Sequence, residues 1–257
     1  MVGFRRLVLI SQLLFLLSLS ACHKPTGQLR VDFRFAVDGE SLRQDEMLYT
    51  NAAGNRYAVT EAQYFISHLT LTKSDGTTVE VRSDKAAHYV DADLASTLTW
   101  LPADEIPTGR YTEVSFTFGL APDLNVSYAY PDAPENAMSW PAALGGGYHY
   151  MKINGWWQGA DGTQKPFNLH TGIGQLRDAE GNITGFVDNS FTVTLPLESF
   201  VIQKGEVTPL CLQMDINQWF TAPHTFDWEV YGGSIMQNQE AQEVLRDNGQ
   251  SVFSLVD

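Results

Sequence analysis

Cysteine is nearly absent from this chain, and positive charge is scarce. Only two of its 257 residues are cysteines, Cys22 and Cys211, so a disulfide-rich scaffold is excluded. Lysine and arginine together number 16, against 30 aspartates and glutamates, which gives a formal net charge of −14 at pH 7. A surface of this sign repels phosphate backbones, so we expect no nucleic-acid partner. With 44% apolar residues, the chain can nevertheless bury a core.

The motifs of the common enzyme families are also missing. The sequence contains no Gly-x-Ser-x-Gly, no phosphate-binding glycine loop and no His-Glu-x-x-His. It lacks Cys-x-x-Cys-His, so no c-type haem is attached to this chain. The carboxylates show no spacing that pairs a general acid with a general base. We therefore expect a protein that is not an enzyme.

The N-terminus carries an apolar stretch that is too short to span a membrane. Residues 7–19 are apolar apart from three polar side chains, and a spanning helix needs about 20 residues. Arg5 and Arg6 precede this stretch, so residues 1–21 are predicted to be a secretory signal peptide.

The segment Leu19-Ser20-Ala21-Cys22 resembles a bacterial lipobox, in which the cysteine is lipidated after cleavage. We predict lipidation of Cys22; an ordinary signal peptide with a chance cysteine is the alternative. His23 follows, where inner-membrane lipoproteins commonly carry aspartate, which favours an outer-membrane lipoprotein facing the periplasm or the cell surface. Residues 22–28 are then a lipid-anchored tether, and residues 29–257 form one domain.

Alternation of apolar and polar residues recurs along the mature chain and predicts β-strands. Val31, Phe33 and Phe35 share one face of the first strand, and similar patterns predict about nine strands in all. Residues 239–246 are rich in helix formers and are followed by Asn-Gly. The prediction is an all-β fold, a single β-sandwich or barrel-like domain with a short C-terminal helix. A long loop rich in proline and glycine, residues 121–147, is expected to be functional.

Histidine and methionine supply the candidate metal ligands. His149 and Met151 are predicted to share one strand face, and imidazole with thioether suits Cu(I). His170 ends a predicted strand before a tight turn, and His68 lies within another strand. Each of these residues also has a simpler interpretation, as an ordinary surface histidine or a core methionine.

Two tryptophans lie near these histidines in the sequence. Trp140 belongs to the long loop, and Trp156 follows the strand that contains Met151. Packing is the simplest role for both, although a copper site with an oxidised tryptophan would need such a residue.

Several segments in a fixed order together resemble the MbnP-like copper-binding proteins, which are associated with methanobactin operons and related to copper-repressible surface proteins of methanotrophs. The segments are Val31-Asp32-Phe33-Arg34-Phe35, Tyr64-Phe65-Ile66-Ser67, Gly109-Arg110-Tyr111, Met138-Ser139-Trp140 and His170-Thr171-Gly172. The resemblance implies a β-rich domain that binds copper outside the cytoplasm. It also implies a dihaem cytochrome-c-peroxidase-like partner, which in some members oxidises a tryptophan to kynurenine.

The resemblance ranks the ligands of the copper site. His170 matches the family's His-x-Gly element, His68 follows the Tyr-Phe-Ile-Ser segment, and His149, with Met151, ranks third. Oxidised members can carry tryptophan two residues before a histidine, and no tryptophan here has that position. This departure argues against kynurenine formation.

Two functions follow from the sequence. The first is an extracytoplasmic lipoprotein that holds copper for scavenging, storage or hand-over. The alternative is a surface β-sandwich that binds a protein or glycan without metal. Its contacts would come from aromatic residues in and near the long loop, namely Trp140, Tyr128, Tyr130 and Trp156.

Overall fold

The computed structural model describes residues 24–82 and 86–257. The predicted signal peptide and the first two residues of the predicted tether, Cys22 and His23, therefore lie outside the described residues. Within the described part, no helix is both long and apolar enough to cross a bilayer.

The described chain is built mainly of β-strands, in agreement with the all-β prediction. In chain order they are β1 (Thr26–Val37), β2 (Glu40–Ser41), β3 (Tyr49–Thr50), β4 (Arg56–Lys73), β5 (Thr78–Glu80), β6 (Ala87–Asp91), β7 (Thr99–Trp100), β8 (Glu105–Pro107), β9 (Gly109–Phe118), β10 (Met151–Gln158), β11 (Gln164–Thr171), β12 (Gly174–Arg177), β13 (Ile183–Val187), β14 (Phe191–Ile202), β15 (Val207–Asp215) and β16 (Phe253–Val256). Two α-helices follow β15, α1 (Trp228–Tyr231) and α2 (Gln239–Asn248).

The strands form two large sheets and one hairpin. The smaller sheet has the order β16-β15-β1-β2, with β7 and β8 also paired to β1, and β1 runs parallel to β15. The larger sheet has the order β11-β10-β4-β9-β14, with β3, β5 and β6 also paired to β4. Strands β12 and β13 form a separate hairpin.

The two sheets pack face to face around an aromatic core. Tyr64 of the larger sheet lies 5.6 Å, ring centre to ring centre, from Phe35 and 5.8 Å from Phe253, both in the smaller sheet. At about 25 cal/mol per Å², a buried ring of about 200 Å² contributes about 5 kcal/mol before entropy is counted. The predicted β-sandwich is thereby confirmed.

The boundaries differ from the prediction at two places. Thr26 to Gln28 pair with β8, so the folded domain begins within the predicted tether rather than at residue 29. The predicted strand that carries His149 and Met151 begins only at Met151. Residues 148–150 are buried, as residues of a core strand would be, but they form the end of the long loop.

The long loop is fixed by hydrogen bonds from polar side chains. Asn125 Oδ1 accepts from the backbone amide of Tyr148 at 2.8 Å, and Ser127 Oγ accepts from that of Gly147 at 2.8 Å. The Tyr148 hydroxyl accepts from the amide of Tyr130 at 2.7 Å. These bonds hold the two ends of the loop together, and the loop therefore positions the residues that it carries.

Candidate metal centre

Two histidines far apart in the sequence meet at the edge of the larger sheet. The ring centres of His149 and His170 are 4.9 Å apart, and their planes are inclined at 87°. His149 is the second residue before β10, whereas His170 lies in the neighbouring strand β11. The end of the long loop positions His149, and the pairing of β10 with β11 positions His170 beside it.

The hydrogen bonds of His149 leave one ring nitrogen with a lone pair. Nδ1 lies 2.9 Å from the carbonyl oxygen of Met138, so Nδ1 must carry the proton and donate. Nε2 is then unprotonated. It is buried and has no hydrogen-bond partner among the described residues. An unpaired buried polar atom costs about 1–3 kcal/mol, which a metal bond at Nε2 would offset.

The opposite ring nitrogen is available on His170. Its Nε2 lies 2.8 Å from Asn154 Oδ1, and the Asn154 amide group donates in turn to the carboxylate of Glu61. Since Glu61 only accepts, the amide oxygen of Asn154 must face His170, whose Nε2 carries the proton. The lone pair of His170 is therefore on Nδ1.

Burial keeps both imidazoles neutral. It lowers the pKa of His149 to about 4, and the positive charge of Lys152 adds to this effect. It lowers the pKa of His170 to about 3, with further contributions from His149 and Lys152. Neutral imidazole is the form that binds metals, so the pair is ready for a metal at neutral pH without losing protons.

Trp140 forms a wall of this site. Its ring centre is 4.7 Å from that of His149 at an inclination of 74°, its indole nitrogen donates to Leu144 O at 3.1 Å, and the residue is 3% exposed. Gly172 also lies against the indole, since a Cβ at this position would come within 2.8 Å of the Trp140 ring. The glycine of His170-Thr171-Gly172 thus makes room for the indole.

His68, the second-ranked ligand, does not join the pair. It lies at a bulge of β4 with φ +50°, between the carboxylates of Glu80 and Asp123. Nδ1 is 3.0 Å from Glu80 Oε1, and Nε2 is 3.2 Å from Asp123 Oδ1. Both ring nitrogens are therefore engaged. Among the described residues, no three or more His, Cys, Asp and Glu side chains gather into a metal-binding group.

Met151 is also separated from the pair, which corrects the expectation that it shares a face with His149. Lys152 lies opposite His170, and Met151 lies opposite Thr171. Because neighbouring residues of a strand point to opposite faces, Met151 and His170 lie on opposite faces of the sheet. Met151 is fully buried in the core. The prediction failed because His149 precedes the strand, so strand alternation does not apply to it.

Trp156, the other candidate from the sequence, lies apart from the pair, and so does His88, which is not among the sequence candidates. Trp156 is 45% exposed and pairs with Pro166. The His88 ring stacks between those of Phe33 and Trp100, each 5.0 Å away. Sequence reasoning missed Glu61 and Asn154, because only the pairing of β4, β10 and β11 brings them beside His170.

Comparisons with known proteins agree with this architecture. A family model described as MbnP matches residues 26–238, which include both histidines. Among solved structures, MbnP from Methylosinus trichosporium is similar with a TM-score of 0.50 and 16% identity, over 76% of this chain and 78% of that one. At this identity the likeness establishes the fold. No curated protein matches the chain.

Proposed function

This chain belongs to the MbnP family, and from that premise we propose that it binds copper between His149 and His170. The observation that carries the proposal is the buried, unpartnered Nε2 of His149 beside a second neutral imidazole. His149 would bind through Nε2 and His170 through Nδ1. The role is copper scavenging, storage or hand-over rather than catalysis.

The chemistry of the two ligands favours copper over other metals. Hard cations such as Mg²⁺ and Ca²⁺ prefer several carboxylate or carbonyl oxygens, and the pair offers none. Structural zinc sites almost always have four ligands. Imidazole suits copper, and among the divalent ions Cu²⁺ also exceeds Zn²⁺ in affinity for a given set of ligands.

Trp140 is the tryptophan that an oxidative modification at this site would involve. It lies against His149 in space although it is nine positions away in the sequence. The absence of Trp-x-His therefore does not exclude a tryptophan at the copper site. We propose that a dihaem cytochrome-c-peroxidase-like partner acts on Trp140, and the intact mass of the protein from its native host tests this. An unmodified Trp140 would argue against this step.

Copper content tests the metal proposal. We expect near-stoichiometric copper in the purified protein, and loss of most of it in both His149→Ala and His170→Ala. His68→Ala and His224→Ala are matched controls, because His68 is engaged by carboxylates and His224 is half-exposed beside Asp247. Full occupancy after either substitution in the pair would rule out the assignment.

We also propose that the protein is an outer-membrane lipoprotein anchored through Cys22. The lipobox-like Leu19-Ser20-Ala21-Cys22 supports this proposal. A Cys22→Ser variant should appear in the soluble fraction after cell lysis, and the unchanged protein in the membrane fraction. Equal distribution of both forms would contradict lipidation.

The long loop supports a second candidate function, the binding of a macromolecular partner without metal. Tyr128 is 86% exposed, and Val126 beside it is 55% exposed. Trp140 and Tyr130 are buried, so they cannot make such contacts. If Tyr128→Ala abolishes capture of a partner by the metal-free protein, this function gains support. Unchanged capture counts against it.

A further inference from the structure

A chain of hydrogen bonds leads from the proposed copper site across the outer face of the larger sheet. His170, Asn154 and Glu61 lie on three adjacent strands, β11, β10 and β4, and Asn154 pairs directly with Glu61. We propose that Glu61, acting through Asn154, is the positioning residue that fixes the tautomer of His170 and keeps its Nδ1 free for the metal. The role in metal binding rests on the proposed function, whereas the control of the His170 tautomer rests on the hydrogen bonds alone.

An asparagine alone cannot select a tautomer of histidine. Its side chain can turn either the oxygen or the amide group toward the ring, and the histidine proton follows that choice. With the amide group toward the ring, His170 Nε2 would have to accept, and the proton would move to Nδ1. The lone pair needed for the metal would then be lost.

Glu61 removes this ambiguity because a carboxylate can only accept. Its Oε2 takes the hydrogen bond from the Asn154 amide group, which leaves the amide oxygen for His170. The other carboxylate oxygen, Oε1, accepts from Gln63 Nε2 at 2.7 Å. Both oxygens of Glu61 are thus engaged, and the carboxylate is held in place.

Glu61 also offsets the charge of the nearest cation. Lys152 lies opposite His170 in the sheet, and its Nζ is 3.9 Å from Glu61 Oε1. A copper ion beside His170 would be repelled by an uncompensated ammonium group. Removing the charge of Glu61 is therefore expected to weaken copper binding by two routes, through the tautomer and through Lys152.

The backbone of β10 at Asn154 and Gly155 allows the contact between Asn154 and Glu61. The register between β10 and β4 shifts between Asn154 and Gly155. A Cβ at Gly155 would lie 2.0 Å from the carbonyl oxygen of Ala58, so only glycine fits there. Glycine at the bulge lets β10 lie close to β4, which brings Asn154 to Glu61.

The test uses Glu61→Gln in the ¹⁵N-labelled, metal-free protein. Glutamine keeps the size of the side chain but can donate as well as accept, so Asn154 is no longer forced into one orientation. Long-range ¹H–¹⁵N correlation spectra identify the protonated ring nitrogen of each histidine. We expect the Nε2–H form of His170 in the wild type, and a mixture or the Nδ1–H form in the variant.

Cu(I) affinity, measured by competition with a chromogenic chelator, gives the second readout. Partners of metal-binding histidines typically contribute 10- to 100-fold, so we expect at least a tenfold weaker affinity in Glu61→Gln. Glu198→Gln removes the same charge from an exposed site on β14 and should bind like the wild type. If Glu61→Gln does not fold, Asn154→Ala tests the same link and should also release the tautomer.

The outcomes separate this inference from the copper proposal. An unchanged tautomer and unchanged Cu(I) affinity in Glu61→Gln would overturn the role of Glu61 while leaving the copper site in place. A shifted tautomer in a protein whose wild type binds no Cu(I) would support the positioning by Glu61 and reject the copper proposal.

Discussion

At the scale of single residues, the site depends on two histidines that are buried without charge. Their pKa values are lowered to about 4 and about 3, whereas an unfolded histidine titrates near 6.5. Between these values the unfolded chain binds more protons than the folded one. Stability therefore rises with pH across this window, and the folded state is destabilised as the pH falls.

The pair therefore predicts acid sensitivity of the metal-free protein. Lowering the pH from 7 to 5 should cost about 2 kcal/mol for each buried histidine. Urea unfolding at the two pH values measures the change, and the double variant His149→Gln/His170→Gln corrects for the titrating carboxylates. An identical pH dependence in wild type and double variant would refute the buried neutral pair.

Gly172 gives a second prediction at this scale. The Trp140 ring occupies the space that a Cβ at Gly172 would fill. The substitution Gly172→Ala should therefore displace the indole from His149. Overpacking of this kind typically costs about 1–3 kcal/mol. Chemical unfolding measures the loss, and Gly185→Ala is the control, because its nearest neighbour would lie 3.5 Å away. Equal stability of the two variants would contradict the close packing.

At the scale of elements, His68 ties the long loop to the sheet. Glu80 belongs to β5 and Asp123 to the loop, and a protonated His68 can donate to both. The hydrogen bond with Glu80 raises the pKa of His68, burial opposes this, and Asp123 raises it further. Arg82 Nε lies 3.6 Å from the other carboxylate oxygen of Glu80. Because the folded pKa is raised, the tie is fully present below about pH 6.5 and is lost as the pH rises through the folded pKa.

The titration of His68, followed by NMR, checks this tie. We expect a pKa of His68 above the usual histidine value of about 6.5, and a lower value for His68 in Asp123→Asn. The same variant should leave the rings of His149 and His170 undisturbed. A pKa of His68 that does not respond to Asp123→Asn would show that the loop is held by other contacts.

The sequence predicted long elements well and short ones poorly. Alternation over residues 111–118 and 191–197 predicts most of β9 and the first part of the edge strand β14, which contains Pro196. Helix α2 follows from its helix-forming residues, and Asn238 caps it by accepting from the Ala241 amide. Strands of two residues such as β2 and β7 are too short to show a periodicity in the sequence. They are strands only because they pair with β1.

At the scale of the whole molecule, the sandwich decides which histidines meet. Sequence reasoning named His149 and His170 as candidates, but it ranked His68 above His149 and added Met151. The ranking came from the resemblance to the family's segments, and Met151 was added because strand alternation places it on one face with His149. The register of β10 against β11 instead places Met151 in the core. The contact of Trp140 with His149 depends on how the long loop closes, for which spacing along the chain gives no signal.

One measurement tests the central claim most directly, a titration of the ¹⁵N-histidine-labelled protein with Cu(I). Cu(I) is diamagnetic, so the ring nitrogens remain visible by NMR throughout. The account predicts shifts of His149 Nε2 and His170 Nδ1 that saturate at one equivalent, with His68, His88 and His224 unchanged. Shifts at His68 in place of the pair, or no shift at either member of the pair, would contradict it.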